Sequence, residues 1–247
     1  MADAPVALVT GSTSGIGAAV ARRLHRDGHR VVLNSVRSVD AGAALVEELG
    51  ADRAHYVQGD IAAEEDVRRL IEETVARFGR LDVLVNNAGT TQVIPHGDLE
   101  AATAEIFRRL YDVNVVGTWQ ATVAAMPHLR ATGAGCVVNV SSLAGVRPTG
   151  SSIPYAASKA ALNHLTRLLA NVVGPEVRVN AVAPGLVDTP WTADWDTVRE
   201  AVRGMAPLQR SGTPEDVAEV VATLVRSTKA RITSGRLRRR ARCSVQR

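Results

Sequence analysis

The stretch PVALVTGSTSGIGAAVARRLHRDG, residues 5–28, decides the fold class. Pro5 to Val9 is a short apolar run that reads as a strand, and AAVARRLHRDG carries a helical pattern. Between them Thr10-Gly11-Ser12-Thr13-Ser14-Gly15-Ile16-Gly17 forms a glycine-rich turn. Strand, turn and helix in that order present free backbone N–H groups and a helix N-terminus to an anion, the usual seat of a dinucleotide's pyrophosphate. A glycine-rich turn by itself is often only a turn. Its flanking strand and helix favour the binding reading here.

The same alternation continues outward. Apolar runs at Arg30–Leu33, Ala54–Val57, Leu81–Val85, Gly135–Val140 and Val177–Val182 predict further strands. Helical patterns separate them at Ala41–Leu49, from Glu64 through EEDVRRLIEETVARF, over Leu99–Arg130, and over Pro154–Val173; another runs from Pro214 to Val225, with Thr213 as its cap. The helix from Glu64 places apolar residues at 67, 70, 71, 75 and 78, a single packing stripe. With 46% hydrophobic and only 3% aromatic residues in 247, the composition suits parallel strands covered by helices. No linker interrupts the chain. Residues 184–213, rich in proline and glycine and lacking a strand pattern, read as a segment covering the cleft; Trp191 and Trp195 in it are either an apolar wall for substrate or packing for the lid.

Composition narrows the class of function. No apolar run reaches the ~18 residues of a membrane span, and MADAPVALVTG has no basic segment ahead of a hydrophobic one, so a soluble, cytoplasmic protein without a membrane partner is expected. Two cysteines, Cys136 and Cys243, and six histidines without ligand spacing predict neither a disulfide framework nor a metal site. The net charge of +4 is local: residues 226–247 hold nine basic side chains and no acidic one, leaving −5 on the rest. A mildly acidic body argues against nucleic acid as a partner.

Several strand ends carry polar residues. After Arg30–Leu33, residues 31–38 contain no acid and one cation, Arg37. An acid there would accept from the 2′-hydroxyl of NAD, whereas a cation accommodates the 2′-phosphate of NADP, so NADP(H) is preferred, with NAD(H) possible. Asp60 suits either adenine or the cap of the helix near Glu64. Asn86-Asn87-Ala88-Gly89 ends the next strand with two amides and small residues, suited to backbone turning under a cofactor. Asn114, inside a helical segment, points either to solvent or to a specific polar task.

The second decisive stretch is NVSSLAGVRPTGSSIPYAASK, residues 139–159. If Pro154 opens a helix, Tyr155 and Lys159 lie one turn apart on one face. A phenol titrating near ~10 is lowered by a neighbouring ammonium, which would let Tyr155 trade a proton with an alcohol or ketone. Ser142, exposed where the preceding strand ends, is placed to hydrogen-bond the same oxygen.

Taken together, TGSTSGIG at 10–17, GDI at 59–61, NNAG at 86–89, Asn114 in YDVNVVG, the Ser142, Tyr155 and Lys159 set, and VNAVAPGLVDTP at 179–190 resemble the short-chain dehydrogenase/reductase family from about Val6 to Gly235. The resemblance implies an α/β fold, a Rossmann-type doubly wound parallel sheet with helices on both faces. It implies Tyr155 as general acid or base, Ser142 polarising the carbonyl, Lys159 holding the nicotinamide ribose, and Asn114 holding a water. The cofactor contacts it implies are Gly11, Ser14, Ile16 and Gly17 at pyrophosphate, Arg37 at the 2′-phosphate, Asp60 and Ile61 at adenine, Asn87, Ala88 and Gly89 near the ribose, and Pro184, Gly185, Val187 and Thr189 near nicotinamide. NSVRS resembles the NADP-using branch that includes the 3-oxoacyl thioester reductases, although Ser14 stands where NADPH-using relatives often place a base. A carbonyl or 3-oxoacyl thioester reductase acting on a small ketone or alcohol, as a homodimer or homotetramer, is the expectation; an NAD-dependent alcohol dehydrogenase is the alternative.

The end of the chain departs from the family pattern. After RITSG it reads RLRRRARCSVQR rather than an apolar strand and an Asp-Gly-Gly turn. Unpaired charges in a buried parallel strand cost several kcal/mol each. The expectation is one catalytic domain over 1–235, a final strand missing or altered, and a disordered arginine-rich tail over 236–247. A cofactor-binding protein with impaired catalysis is the corresponding alternative function.

Overall fold

A computed structural model describes residues 4–227 and 237–239. Six strands, β1 (Val6–Val9), β2 (Arg30–Ser35), β3 (Ala54–Gln58), β4 (Val83–Asn86), β5 (Gly135–Val140) and β6 (Val177–Ala183), pair in parallel in the order β3-β2-β1-β4-β5-β6. They are linked by α1 (Gly15–Arg26), α2 (Val39–Leu49), α3 (Glu64–Phe78), α4 (Ala104–Tyr111), α5 (Thr118–Ala131), α6 (Ile153–Val173), α7 (Asp196–Met205) and α8 (Pro214–Arg226).

Every residue of β1 is buried, because both faces of the sheet are covered. Successive side chains go to opposite faces: Ala7 and Val9 join one core with Leu24 of α1, Leu45 of α2 and Val221 of α8. Val6 and Leu8 join the other, with Leu70 of α3, Leu129 of α5 and Leu169 of α6. Strand order reverses at β1, whose neighbours are β2 and β4. The crevice outside the C-terminal ends of β1 and β4 is therefore the place for a ligand.

Two expectations change. The helix expected over Leu99–Arg130 begins only at Ala104, where Thr103 Oγ1 accepts from Ile106 N at 3.4 Å, and it is broken by a π-helical turn over Asp112–Gly117. The segment before it is an exposed turn closed by Asp98 Oδ1 on Ala101 N at 3.1 Å. The covering segment 184–213 has more structure than a loop: a 3₁₀ turn at Pro190–Thr192, the helix α7, and a single parallel bridge between Val187 and Gly212. Thr213 caps α8 in a reciprocal pair with Asp216, at 3.2 and 3.1 Å.

The final strand is altered rather than missing. Residues Leu237–Arg239 form β7, paired in parallel with β6 through Ala181↔Leu237, Val182↔Arg238 and Ala183↔Arg239. Edge pairing uses backbone groups that arginine supplies as well as valine does, which corrects the expectation of disorder at these three positions. The rest of the tail, 236 and 240–247, lies outside the described residues. Among the described residues no helix is long and apolar enough to cross a membrane, and no cluster of three His, Cys, Asp or Glu could hold a metal.

Candidate active site

The glycine turn between β1 and α1 is shaped by close approach. Gly11 has φ +59° and faces Ala88, whose Cα would lie 2.8 Å from an added Cβ. At Gly17 a Cβ would meet Gly11 O at 2.3 Å and Asn87 Nδ2 at 2.5 Å. Asn87 Nδ2 donates to Thr10 O at 2.9 Å and Gly11 O at 2.8 Å, while Thr10 Oγ1 accepts from Asn87 N and Ala88 N at 3.1 and 3.0 Å. The NH₂ of the Asn87 side chain is thus spent on holding the turn. Ser14, exposed, stands at the N-cap of α1 without a side-chain cap, and the first turn, which holds Gly15, Ile16 and Gly17, has no acid. Free N–H groups there meet the positive end of the helix dipole, which suits a pyrophosphate.

Beside the turn, Asn34 is buried and fully used. Its Nδ2 donates to Val57 O and Gly59 O at 3.2 and 3.0 Å, and its backbone exchanges bonds with Ser12. Arg37 is exposed, and no ion pair engages it among the described residues. Asp60 does not cap α3: its Oδ1 accepts from Ala62 N at 2.9 Å, in the turn ahead of the helix, and its own N–H goes to Asp66 Oδ2 at 2.9 Å. Ile61 is 2% exposed and packs in the core with α3, so only its backbone is available to an adenine.

Asn114 takes the polar task rather than solvent. It is 0% exposed in the π turn; Oδ1 accepts from Thr90 N at 2.8 Å, and Nδ2 donates to Thr90 O and Ser158 Oγ, both at 3.0 Å. Ser158 Oγ in turn donates to Tyr155 O at 2.7 Å. One amide therefore ties the segment after β4 to α6. Gly89 sits at the junction, where a Cβ would lie 3.1 Å from Asn114 Oδ1 and 3.4 Å from Lys159 Nζ.

Ser152 and Pro154 start α6, with Ser152 Oγ accepting from Tyr155 N at 3.4 Å. Ser142, at the end of β5, accepts from Ala144 N at 3.2 Å and hydrogen-bonds the Tyr155 hydroxyl. Lys159 is buried, donates to Val140 O at 3.0 Å, and has Nζ 5.8 Å from the centre of the Tyr155 ring. The expected lowering of the tyrosine by this ammonium is corrected. Burial raises the Tyr155 phenol above its ordinary value, opposed only by the Ser142 hydrogen bond, and burial also pulls Lys159 down to about 8. Desolvation disfavours both charged forms, and the ammonium faces the ring and Val140 O.

The far wall comes from the end of β6. Pro184 O accepts from Leu143 N at 2.7 Å, Gly185 is exposed, and Val187 is buried in the core, leaving its backbone for a ligand. Thr189 Cγ2 would lie 3.2 Å from a Cβ at Gly15. Trp191 is half exposed and meets the Tyr155 ring edge-on, centroids 6.4 Å apart at 86°. The strand ends thus gather the glycine turn, Asn87, Gly89, Ser142, Tyr155, Lys159 and Thr189 in one crevice, with Arg37 and Asp60 on the β2–β3 side. Thr10, Thr90 and Ser158 escaped the sequence reading. Thr10, which opens TGSTSGIG, and Ser158, one residue before Lys159 in YAASK, carry a local signal.

Residues 5–200 match the family described as short chain dehydrogenase. The chain is 59% identical over 229 residues to the Streptomyces violaceoruber protein named for the granaticin polyketide synthase as its ketoacyl reductase 2, covering 92% of this chain and 91% of that one. It is 39% identical over 222 residues to cis-4-hydroxycyclohexanecarboxylate dehydrogenase of Sinomonas cyclohexanicum, covering 89% and 88%. The crystal structure of a Brucella melitensis 3-ketoacyl-(acyl-carrier-protein) reductase complexed with NADH superposes with a TM-score of 0.89 at 32% identity, covering 98% of each chain.

Proposed function

Since the chain belongs to the short chain dehydrogenase family and is an oxidoreductase of carbonyl and CH–OH groups, we propose that it reduces a ketone of the 3-oxoacyl type to a secondary alcohol with NADPH. The observation that carries this reading is Tyr155 with buried Lys159, Nζ 5.8 Å from its ring centre, at the mouth of a crevice whose glycine turn has no room for a Cβ at Gly11 or Gly17. Such a cradle, with an uncapped helix N-terminus, fits a dinucleotide. When bound, the nicotinamide supplies the hydride. Gly11, Ser14, Ile16 and Gly17 would hold its pyrophosphate, Arg37 the 2′-phosphate, Asp60 and the backbone of Ile61 the adenine, Asn87, Ala88, Gly89, Tyr155 and Lys159 the ribose, and Pro184, Gly185, Val187 and Thr189 the nicotinamide.

The protein's own part is proton transfer and charge stabilisation. Ser142 donates to the substrate oxygen and Tyr155 delivers the proton. A phenol raised by burial stays protonated at neutral pH, which suits the acid role and therefore reduction. Lys159, close to the ring, stabilises the phenolate left behind. Asn114 keeps the segment after β4 and α6 in register.

NADP over NAD is supported by exposed Arg37 in a stretch without acids. The second reading, an NAD-dependent alcohol oxidant, is favoured by Ser14 in place of a base and by the NADH named for the Brucella neighbour. Exposed Trp119, Val123, Leu168 and Val172 on α5 and α6 support a homodimer through these helices; a tetramer would also use the β7 edge, and light scattering distinguishes the two. A cytoplasmic location belongs to this reading.

The test is titration of the purified full chain with NADPH and NADH, followed by turnover of a 3-oxoacyl thioester by wild type and Tyr155→Phe. Tighter NADPH and a loss of about 10²-fold or more in kcat, with cofactor affinity retained, is expected. NADH preference overturns the cofactor assignment, and an active Tyr155→Phe overturns the mechanism. Cofactor binding without turnover in wild type returns the impaired-catalysis alternative.

A further inference from the structure

We propose that Trp191 is the specificity wall of this site, selecting ketones whose carbonyl is attached to a flat, unsaturated ring system over saturated ones of equal size. The proposal rests on the carbonyl-reductase reading above and names its substrate class.

The indole is carried on a short element fixed at both ends. Pro190–Thr192 is a single 3₁₀ turn, so its side chains cannot wander far while those ends hold. At one end Thr192 Oγ1 donates to Val187 O at 2.8 Å and accepts from Thr189 N at 3.2 Å. At the other, the Arg199 guanidinium of α7 gathers Asp188 at 3.0 Å, Asp196 at 2.8 Å, Ala193 O at 3.0 Å and Thr192 O. One side chain thus ties together the approach to the turn, the turn and the helix that follows.

A tryptophan whose job was to pack the covering segment onto the body would be buried. Trp191 is 51% exposed, yet its ring meets the ring of Tyr155 nearly at right angles. Gly150 also approaches the Tyr155 ring: an added Cβ there would lie 3.7 Å from Cδ1. The segment carrying Gly150 is stitched to residues 91–96 by Thr91 Oγ1 with Ser151 Oγ, by Ile94 N to Ser151 O at 2.8 Å, and by His96 Nε2 with Gly150 O at 3.1 Å. Exposed Val93 and Ile153 extend these two segments.

The Tyr155 ring is therefore met by a half-exposed indole and approached by backbone that carries no side chain at Gly150. A flat ring system laid against the exposed indole gains from ring–ring geometry beyond the area buried. A puckered ring of equal carbon count gains area only. Because the turn that carries the indole is held before the substrate arrives, less ordering opposes binding.

The experiment compares 2-acetonaphthone with 2-acetyldecalin, the same skeleton flat and puckered, for wild type, Trp191→Phe and Trp191→Leu. Trp191 is half exposed, so neither substitution empties a core. The intrinsic reactivity of each ketone cancels when the ratio of kcat/KM values is compared between variants. The ratio of flat to puckered should fall about 3- to 10-fold in Trp191→Leu and be largely kept in Trp191→Phe. Calorimetric titration of both ketones into the protein with oxidised cofactor should give the same change in the ratio of Kd values. A ratio unchanged in Trp191→Leu, by rate or by calorimetry, overturns the wall. If wild type reduces neither ketone with either cofactor, nor a 3-oxoacyl thioester, the reductase reading falls, and the calorimetric ratio still decides the role of Trp191.

Discussion

Exchanging Asn114 for aspartate changes one NH₂ into one oxygen and nothing else in shape, and the surroundings of Asn114 make the consequence calculable. The native Nδ2 faces two acceptors, Thr90 O and Ser158 Oγ, each at 3.0 Å, in a place with no exposure. In Asn114→Asp that position carries an acceptor. Ser158 could turn its hydroxyl toward the new oxygen only by releasing Tyr155 O, which it now serves at 2.7 Å. Thr90 O has no such escape and meets an oxygen. Buried polar groups left without partners cost roughly 1–3 kcal/mol each, and the carboxylate adds its own desolvation, so a loss of about 3–5 kcal/mol at pH 8 follows.

The pH dependence has a definite sign. Burial and the facing carbonyl raise the titration of the introduced carboxyl above the ~3.9 of the unfolded chain, because only the neutral acid can donate to Thr90 O. A carboxyl raised on folding contributes stability that is complete below the unfolded value and lost as pH rises through the folded one. The deficit of the variant therefore shrinks on acidification, by about 1.4 kcal/mol for each pH unit below the folded titration point until ~3.9 is reached. Urea unfolding of variant and wild type at pH 5, 6.5 and 8, read as the difference at each pH, removes the contributions common to both. A deficit below about 1 kcal/mol at pH 8, or one equal at pH 5 and 8, would refute the assignment of Asn114 as a buried clamp between Thr90 and α6.

Three further outcomes follow from other parts of the site. Lys159, pulled down to about 8 by burial, is neutral in both states above ~10.5 and costs the folded state up to about 3 kcal/mol as pH falls from there to about 8; the stability of Lys159→Met relative to wild type should rise by that amount between pH 10.5 and 7.5 in urea titrations, and a pH-independent difference would contradict it. Gly17→Ala puts a methyl 2.3 Å from Gly11 O and 2.5 Å from Asn87 Nδ2, so stability should drop by about 1–3 kcal/mol and cofactor affinity at least tenfold; unchanged affinity would remove the turn from the cofactor site. Arg37→Glu, on an exposed side chain, should leave the melting temperature within a few degrees while inverting the NADPH to NADH preference, and an unaltered preference in fluorescence titration would discard Arg37 as the phosphate reader.

What the sequence made legible was what depends on neighbours in the chain. The turn at Gly11–Gly17 lies between its own strand and helix, and Tyr155 and Lys159 are one helical turn apart, so spacing alone places them. Asn114 shows the limit. Its partners Thr90 and Ser158 are 24 and 44 residues away, and the π turn that aims it has no compositional mark. The helical pattern of the Leu99–Arg130 stretch runs on across a break that tertiary contacts impose. The direction of the Tyr155 shift is hidden from the sequence for a related reason: an ammonium four residues on is visible there, whereas the burial that outweighs it is a property of the folded crevice. Arg238 and Arg239 read as incompatible with a strand, yet an edge partner needs only backbone, and three residues of it pair with β6.

Burial also explains how Tyr155 and Lys159 can divide the chemistry without sharing a proton. Both groups are driven toward neutrality by the same desolvation, which for the phenol means holding its proton and for the amine means releasing it more easily. Once Tyr155 gives up its proton, a negative oxygen appears in a low-dielectric crevice within reach of an amine whose titration at about 8 is still above neutral pH. The new charge favours the ammonium, so the lysine's proton is held more firmly when the phenolate exists than before it forms. The pair thus stabilises the state after proton transfer more than the state before it, the differential that accelerates a step. Removing Lys159 should accordingly depress kcat even where cofactor is saturating, because what it stabilises exists only once the proton has moved.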